Sequence, residues 1–188
     1  MNESTTGLSG DDKRFLLRLA RSVIAAKSRG ETFILPSGGW SKFLDSHAGV
    51  FVSLHTGGTL RGCVGFVSPD KNLITGVAHS AESAAFSDSR FPPVGSMELK
   101  DIEIEISILT QPEPVDSYEK IELGKHGIIL EKHGHRALFL PQVPAEYGWD
   151  LAATLSHLAQ KAGLPAGAWR EGASFQVFES IVFSEKSL

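Results

Sequence analysis

The residues best suited to chemistry lie in one short stretch, residues 60–65 (Leu-Arg-Gly-Cys-Val-Gly). It holds the only cysteine of the chain, Cys63, directly after Gly62, two residues before Gly65 and two residues after Arg61. A cysteine thiolate is a nucleophile, and a nearby guanidinium would lower the thiol pKa and hold an anionic group. The stretch therefore indicates a site that combines a nucleophilic thiol with an anion clamp.

A β-hairpin is the element that would position this thiol. Residues 50–55 have the composition of a strand, Gly57-Gly58 is a two-residue hairpin turn, and the cysteine stretch is then the return strand. The register that this turn predicts pairs Thr56 with Thr59, Leu54 with Arg61 and Val52 with Cys63. In that register Arg61 and Cys63 share one face with two aliphatic side chains.

The same stretch is open to a second interpretation, in which Cys63 is an inert packed residue. Buried cysteine behaves as a small hydrophobe, and arginine commonly lays its stem over apolar surface. Gly62 and Gly65 nevertheless require a local reason, because glycine weakens a strand. A bulge, or the close approach of backbone or of a ligand, would supply one, so both glycines are candidate ligand-binding residues.

Further candidate residues lie in two irregular segments and one strand mouth. Residues 87–93 (Ser-Asp-Ser-Arg-Phe-Pro-Pro) are stiffened by adjacent prolines and contain the candidate ligand-binding residues Asp88 and Arg90. Residues 141–149 are dense in polar and aromatic side chains. There we expect Gln142 and Trp149 to bind ligand and Glu146 to carry a proton, and His126 before a predicted strand is the alternative proton carrier.

Other polar groups favour a structural interpretation. The His133-Gly134-His135 pair lies at a predicted hairpin tip with no evident third ligand, so we expect no metal site there. Residues 102–108 alternate strictly between isoleucine and polar residues, which is typical of a strand with one solvated face. Glu103 and Glu105 on that face are therefore expected to be solvated rather than an acid/base pair.

Helices and one strand form the predicted frame. Ser9 and Asp12 are suited to begin a helix, residues 73–86 form a second helix, and Asp150 can cap a third. The isoleucine face of residues 102–108 is expected to lie beneath either the helix with Leu16 and Leu19 or the helix with Leu155 and Leu158. A last strand is predicted at residues 174–183.

Composition restricts the class of protein. The chain has 188 residues, 41% hydrophobic and 21% charged, with a net charge of −4. One cysteine allows no intrachain disulfide, which favours a reducing, cytoplasmic setting. Lys and Arg are scattered singly, which argues against a nucleic-acid groove, and no apolar run approaches the length of a membrane span. A soluble globular protein is expected.

Three segments together resemble the AMMECR-type family, named for the Alport syndrome, midface hypoplasia and elliptocytosis chromosomal region. These are residues 60–65, residues 84–93 and residues 140–150. The resemblance covers nearly the whole chain. Val64, Ser89 and Pro144 depart from the usual family residues and leave the candidate site residues in place.

The resemblance implies an α+β fold with a largely antiparallel sheet, flanking helices and two lobes, the cysteine motif lying near their junction. We therefore predict a disordered lead at residues 1–8 and one AMMECR-type domain with two subdomains at residues 9–185. Relatives are associated with Memo-like proteins and radical S-adenosylmethionine enzymes. This implies an enzyme acting on a small molecule or modified macromolecule, with no cofactor of its own. The alternative is a non-catalytic module that binds a ligand or protein.

The sequence further predicts that these distant motifs meet. Glycines within a strand, adjacent prolines and a polar aromatic segment are each locally unfavourable for folding, and such features gather at functional sites. We expect Cys63 to lie in or beside a cleft lined by residues of the other two segments, with at least one arginine reaching it.

Overall fold

Two four-stranded sheets organise the chain in a computed structural model that describes residues 7–38, 40–68 and 70–188. The helices of these residues are α1 (Gly10–Ser28), α2 (Leu73–Phe86), α3 (Val143–Tyr147) and α4 (Leu151–Lys161). The strands are β1 (Val50–Thr56), β2 (Thr59–Phe66), β3 (Ile102–Leu109), β4 (Glu113–Val115), β5 (Gly127–Lys132), β6 (His135–Phe139), β7 (Ser174–Phe178) and β8 (Ser180–Ser184). Helices and antiparallel strands alternate irregularly, which confirms the predicted α+β fold class.

Helix α1 begins as the sequence predicts. The Ser9 hydroxyl accepts a hydrogen bond from the Asp12 backbone N–H at 3.1 Å, and the Asp12 carboxylate accepts one from the Ser9 N–H at 3.0 Å. This reciprocal arrangement satisfies donors that the first turn of a helix leaves unpaired. The apolar stripe that follows includes Leu16, Leu19 and Val23, all buried. Local chemistry therefore determines both the start and the inward face of α1.

The first sheet has the strand order β2-β1-β3-β8 and shares one core with α1 and α2. The isoleucine face of β3 is buried in this core together with Leu16 and Leu19 of α1. Of the two helices expected to cover it, α1 is therefore the one that does so, and Leu155 and Leu158 of α4 belong to another core.

The second sheet has the order β4-β7-β5-β6 and packs with α4 around its own core. Its centre includes Ile128 and Leu130 of β5, Leu155 and Leu158 of α4, and Trp169. The chain accordingly divides into two compact units. The first unit comprises residues 1–109 and 181–188, and the second unit comprises residues 110–180.

The predicted last strand at residues 174–183 is wrong in one respect, because it is two strands. Strand β7 pairs with β4 and β5 in the second sheet, whereas β8 lies beside β3 in the first. The backbone N–H of Glu179, between them, bonds to the Thr110 hydroxyl at 2.8 Å. A continuous apolar pattern does not reveal that its two halves belong to different sheets.

The predicted disordered lead lies mainly outside the described residues, since residues 1–6 are not among them. Leu8, the last residue of that segment, packs against the core of the first unit. Among the described residues, no helix combines the length and the apolar character that crossing a membrane requires.

Candidate functional site

A β-bulge at Arg61 changes the predicted register of the hairpin. The turn is as expected, with Thr56 opposite Thr59, but the pairing shifts between Leu54 and His55. Leu54 therefore lies opposite Gly62, and the residue opposite Cys63 is Ser53 rather than Val52. The prediction that Arg61 and Cys63 share a face with Val52 and Leu54 is wrong, because one inserted residue moves every later side chain to the other face.

The Cys63 side chain lies beside a buried hydroxyl. Ser53 is 6% exposed, and its Oγ donates a hydrogen bond to Cys63 Sγ at 3.3 Å. Cys63 itself is partly exposed. A sulfur that accepts a hydrogen bond is favoured in its anionic form, so the contact is suited to a thiol that must ionise.

The backbone of Cys63 is held by residues 87–95, here called the proline loop. β2 is an edge strand, and the Cys63 N–H, which points away from β1, donates to Asp88 Oδ2 at 2.9 Å. The Arg90 guanidinium donates to the Cys63 carbonyl at 3.3 Å and to Asp88 Oδ2 at 2.7 Å. The Asp88 side chain is 6% exposed, while that of Arg90 is 57% exposed. The loop therefore covers the edge of the sheet at the cysteine.

Asp88 is ionised in this arrangement. Hydrogen bonds from the Arg90 side chain hold the pKa of Asp88 well below its ordinary range, and bonds from the Cys63 and Arg90 backbone N–H groups act in the same direction against the opposing effect of burial. Asp88 and Arg90 are thus tied together by an ion pair of 2.7 Å. It fixes the thiol-bearing residue to the loop.

Replacing Asp88 with alanine is expected to lower the free energy of unfolding by about 2 kcal/mol at pH 7, because it removes charge-assisted hydrogen bonds and leaves the Cys63 N–H without its acceptor. A lowered pKa contributes stability above the unfolded value of about 4 and loses it as pH falls through the folded value. The difference between wild type and variant should therefore be full at pH 7 and narrow below about pH 4. Urea denaturation at several pH values measures it.

Asp116→Ala is the matched control for this measurement. Asp116 also pairs with a cation, Lys120 at 2.9 Å, but its side chain is 92% exposed. Solvent and salt screen an exposed pair, so little change in the free energy of unfolding is expected. Equal losses for the two aspartate variants, or a loss at Asp88 that does not depend on pH, would contradict the role given to Asp88.

Arg61 is directed to a carboxylate rather than to the thiol. Its Nε donates to Glu98 Oε2 at 2.9 Å, and its Nη2 donates to Glu98 Oε1 at 3.3 Å and lies 3.5 Å from the Pro93 carbonyl. Nη1 is buried and has no hydrogen-bond partner among the described residues. A buried donor without a partner is costly, so Arg61 has unused hydrogen-bonding capacity at Nη1.

Both glycines of the cysteine stretch allow close approach of protein backbone. A Cβ atom on Gly62 would lie 2.2 Å from the Ala84 carbonyl oxygen of α2, and one on Gly65 would lie 2.2 Å from the Val50 carbonyl oxygen of β1. These contacts supply the local reason that the sequence required. That Gly62 and Gly65 also bind a ligand stays a prediction.

The remaining candidate residues belong to the second unit. His126 lies before β5, and its Nδ1 accepts a hydrogen bond from the Glu122 N–H at 3.1 Å. Gln142 precedes α3, and its Oε1 is buried without a partner among the described residues. Glu146 is exposed, and the Trp149 ring stacks on those of Tyr147 and His157.

The structure thus brings four sequence-predicted residues to one edge of β2: Arg61, Cys63, Asp88 and Arg90. That His126, Gln142, Glu146 and Trp149 join them stays a prediction. A cavity of about 470 Å³ in the first unit lies elsewhere, between α1 and α2, where Val23, Ala78 and His79 contribute to its walls.

Sequence reasoning missed Ser53 and Glu98, the direct partners of the thiol and of Arg61. Ser53 lies on the face of β1 opposite the buried residues Val50, Val52 and Leu54. This is a weak signal, because an ordinary solvated face gives the same alternation. Glu98 is one of many carboxylates in the chain. Its selection depends on the fold of the proline loop and the helical turn at Ser96–Lys100.

Comparison with known proteins places this chain in a family. The AMMECR1 family model matches residues 17–183. Protein MJ0810 of Methanocaldococcus jannaschii is 41% identical over 187 residues, covering 95% of this chain and 92% of that protein. Protein MK0488 of Methanopyrus kandleri is 40% identical, with 95% and 91% covered. The crystal structure of PH0010 from Pyrococcus horikoshii matches with a TM-score of 0.86 at 36% identity, covering 92% of this chain and 91% of that one. The chain belongs to the AMMECR1 family.

Proposed function

We propose that this protein is an enzyme that acts through the Cys63 thiol on a small molecule or a modified macromolecule. The observation that carries the proposal is the hydrogen bond from the Ser53 hydroxyl to Cys63 Sγ, made while the proline loop fixes the cysteine backbone. A nucleophilic cysteine requires a stabilised thiolate in a fixed position. Partial exposure of Cys63 leaves a path for the substrate.

The hydrogen bonding of Arg61 favours a substrate that carries an anionic group. Its guanidinium is held by Glu98, and its buried Nη1 has no acceptor among the described residues. A carboxylate or phosphate oxygen would complete that hydrogen bond and would be bound strongly, because both partners are charged. Arg90 is the alternative clamp, although its charge is compensated by Asp88.

His126 or Glu146 would carry the proton. Because Nδ1 of His126 accepts from the Glu122 N–H, a neutral His126 ring has its proton on Nε2. A neutral imidazole is a very weak acid, so to protonate a leaving group His126 would first take up a second proton at Nδ1, which breaks the hydrogen bond from the Glu122 N–H. Glu146 is exposed and would act instead as a base. Gln142 and Trp149 would bind the substrate.

Alkylation of Cys63 by iodoacetamide tests the proposal, since the chain has no other cysteine to react. We expect fast alkylation of the native protein that depends on pH near neutrality, and a reduction of at least about tenfold in Ser53→Ala, because the hydroxyl stabilises the thiolate. The protein unfolded in urea gives the reference rate for an unperturbed thiol. A native thiol that reacts only after unfolding would remove Cys63 as a nucleophile.

A non-catalytic binding module is the second candidate. The observation that favours it is that Glu98 and Asp88 already neutralise Arg61 and Arg90, so the cluster is electrostatically complete as it stands. In this reading the site holds a ligand or a segment of a Memo-like or radical S-adenosylmethionine protein. Calorimetric titration with a purified Memo-like protein, with equal affinity for wild type and Cys63→Ser, would support the module over the enzyme.

A further inference from the structure

Three stacked aromatic rings form a surface feature in the second unit. The Trp149 ring lies 4.7 Å from that of Tyr147 at an interplanar angle of 16°, and 4.1 Å from that of His157 at 21°. The Trp149 ring therefore stacks with both the Tyr147 ring and the His157 ring.

Local backbone chemistry holds the stack in place. Gly148 ends α3 in the left-handed conformation, with φ 65°, which turns Tyr147 back over Trp149. Asp150 caps α4 by accepting a hydrogen bond from the Ala153 N–H at 2.7 Å, and α4 carries His157. The stack is therefore fixed at a helix end and a helix start.

The outer face of this stack is open. Tyr147 is 65% exposed although one side of its ring is covered by Trp149. The face of an aromatic ring carries the negative part of its quadrupole, which attracts cations. Tyr147 thus presents a rigid, electron-rich surface to solvent.

The charge of the surrounding chain also favours a cation. Between Arg136 and Lys161, which contacts the Phe139 ring, the chain has no lysine or arginine, while Glu146 and Asp150, both exposed, lie on either side of Tyr147 and Trp149 in the sequence. A planar guanidinium can stack on an aromatic ring and donate to a carboxylate at the same time, whereas a compact, strongly hydrated ammonium does so less well.

The second unit uses this type of contact within its own chain. The Arg170 guanidinium lies over the Trp169 ring at 4.4 Å from its centroid, and Lys161 lies over Phe139 at 4.9 Å. Phe139 in turn contacts Trp149 at 5.8 Å. Stacked cations are therefore compatible with the local polarity of this unit.

We propose that the exposed face of Tyr147, with Glu146, binds the guanidinium of an arginine side chain presented by a partner protein. Tyr147 supplies the stacking surface, and Glu146 accepts hydrogen bonds from the guanidinium N–H groups. The site lies wholly within the second unit and uses no atom of Cys63, although Glu146 is also one of the two proton carriers of the proposed enzyme. Binding should weaken with added salt, because both contacts are electrostatic and exposed.

The test is a titration of the full ¹⁵N-labelled chain with the blocked tripeptide acetyl-Gly-Arg-Gly-amide, followed by NMR through the Trp149 indole N–H. Acetyl-Gly-citrulline-Gly-amide is the matched probe, because citrulline keeps the planar group and lacks the charge. We expect saturable shifts with an affinity at least about tenfold higher for the arginine probe. Equal affinity for the two probes, or no saturation with arginine, would overturn the proposal.

Variants locate the binding. Tyr147→Ala should abolish the shifts. Glu146→Gln, which leaves the Tyr147 ring in place and keeps the volume of the side chain at position 146, should weaken binding severalfold. Tyr118→Phe is the control, since Tyr118 packs edge-on against Trp169 at 5.0 Å within the same unit. Unchanged binding in Tyr147→Ala or in Glu146→Gln counts against the site. Cys63→Ser should bind the arginine probe with the same affinity as wild type. Loss of the enzyme proposal would therefore not decide whether Tyr147 binds a guanidinium.

Discussion

Replacement of Gly62 with alanine is expected to destabilise the protein by at least about 3 kcal/mol. The added Cβ would lie 2.2 Å from the Ala84 carbonyl oxygen and 3.2 Å from its carbon. Both atoms belong to the backbone of α2, which cannot move aside as a flexible side chain can. The helix must therefore separate from β2, which opens the core that Leu54 and Ala84 share.

Guanidinium denaturation followed by circular dichroism measures this loss, with Gly10→Ala as the control. Gly10 begins α1, where an added Cβ would meet only the Arg14 side chain at an ordinary distance of 3.5 Å. Alanine is favoured over glycine in a helix, so the control should be neutral or stabilising by up to about 1 kcal/mol. A Gly62 variant as stable as wild type would show that α2 does not lie this close to β2.

Replacement of Ile104 with alanine is expected to cost about 2–5 kcal/mol. Ile104 is completely buried at the centre of β3, opposite Leu54 of β1. Removing its side chain loses the free energy of burying that apolar surface. It also leaves a cavity between the first sheet and α1, because the surrounding residues relax only partly into the space. The shift of the unfolding midpoint in guanidinium, at unchanged m-value, reports the loss.

Ile34→Ala is a control of the same chemistry at a different depth. Ile34 is 85% exposed in the segment after α1, so its truncation should change the free energy of unfolding by less than about 0.5 kcal/mol. A cost under about 1 kcal/mol at Ile104 would contradict its place in the core. Comparable losses at the two isoleucines would lead to the same conclusion.

The neighbours of the Cys63 thiol could not be predicted from the sequence pattern. The Gly57-Gly58 turn determines the first pair, Thr56 with Thr59, because turn geometry acts locally. The bulge at Arg61 occurs farther along the strand, and the sequence gives no sign of it beyond the costly glycine beside it. One extra residue there exchanged Val52 for Ser53 as the neighbour of Cys63 and directed Arg61 to Glu98.

Charged partners were predictable only when they were close in sequence. Asp88 and Arg90 are two residues apart, so their pairing follows from the short loop that holds both. Glu98 lies 37 residues from Arg61, and many carboxylates in the chain could have occupied its place. Ion pairs between exposed charges differ little in free energy, so the sequence alone does not indicate which carboxylate pairs with Arg61. The backbone geometry selects that carboxylate.

Local sequence is sufficient to predict the elements whose causes are local: the cap and apolar stripe of α1, the bounds of α2 and the alternation of β3. The family to which the chain belongs also follows from sequence motifs. Tertiary structure alone decided that α1 covers β3, that the last strand divides between two sheets, and that Ser53 meets the thiol. Periodicity records that a face is buried without recording what buries it, because the hydrophobic effect is not directional. Which surfaces finally meet depends on contacts between residues far apart in the chain.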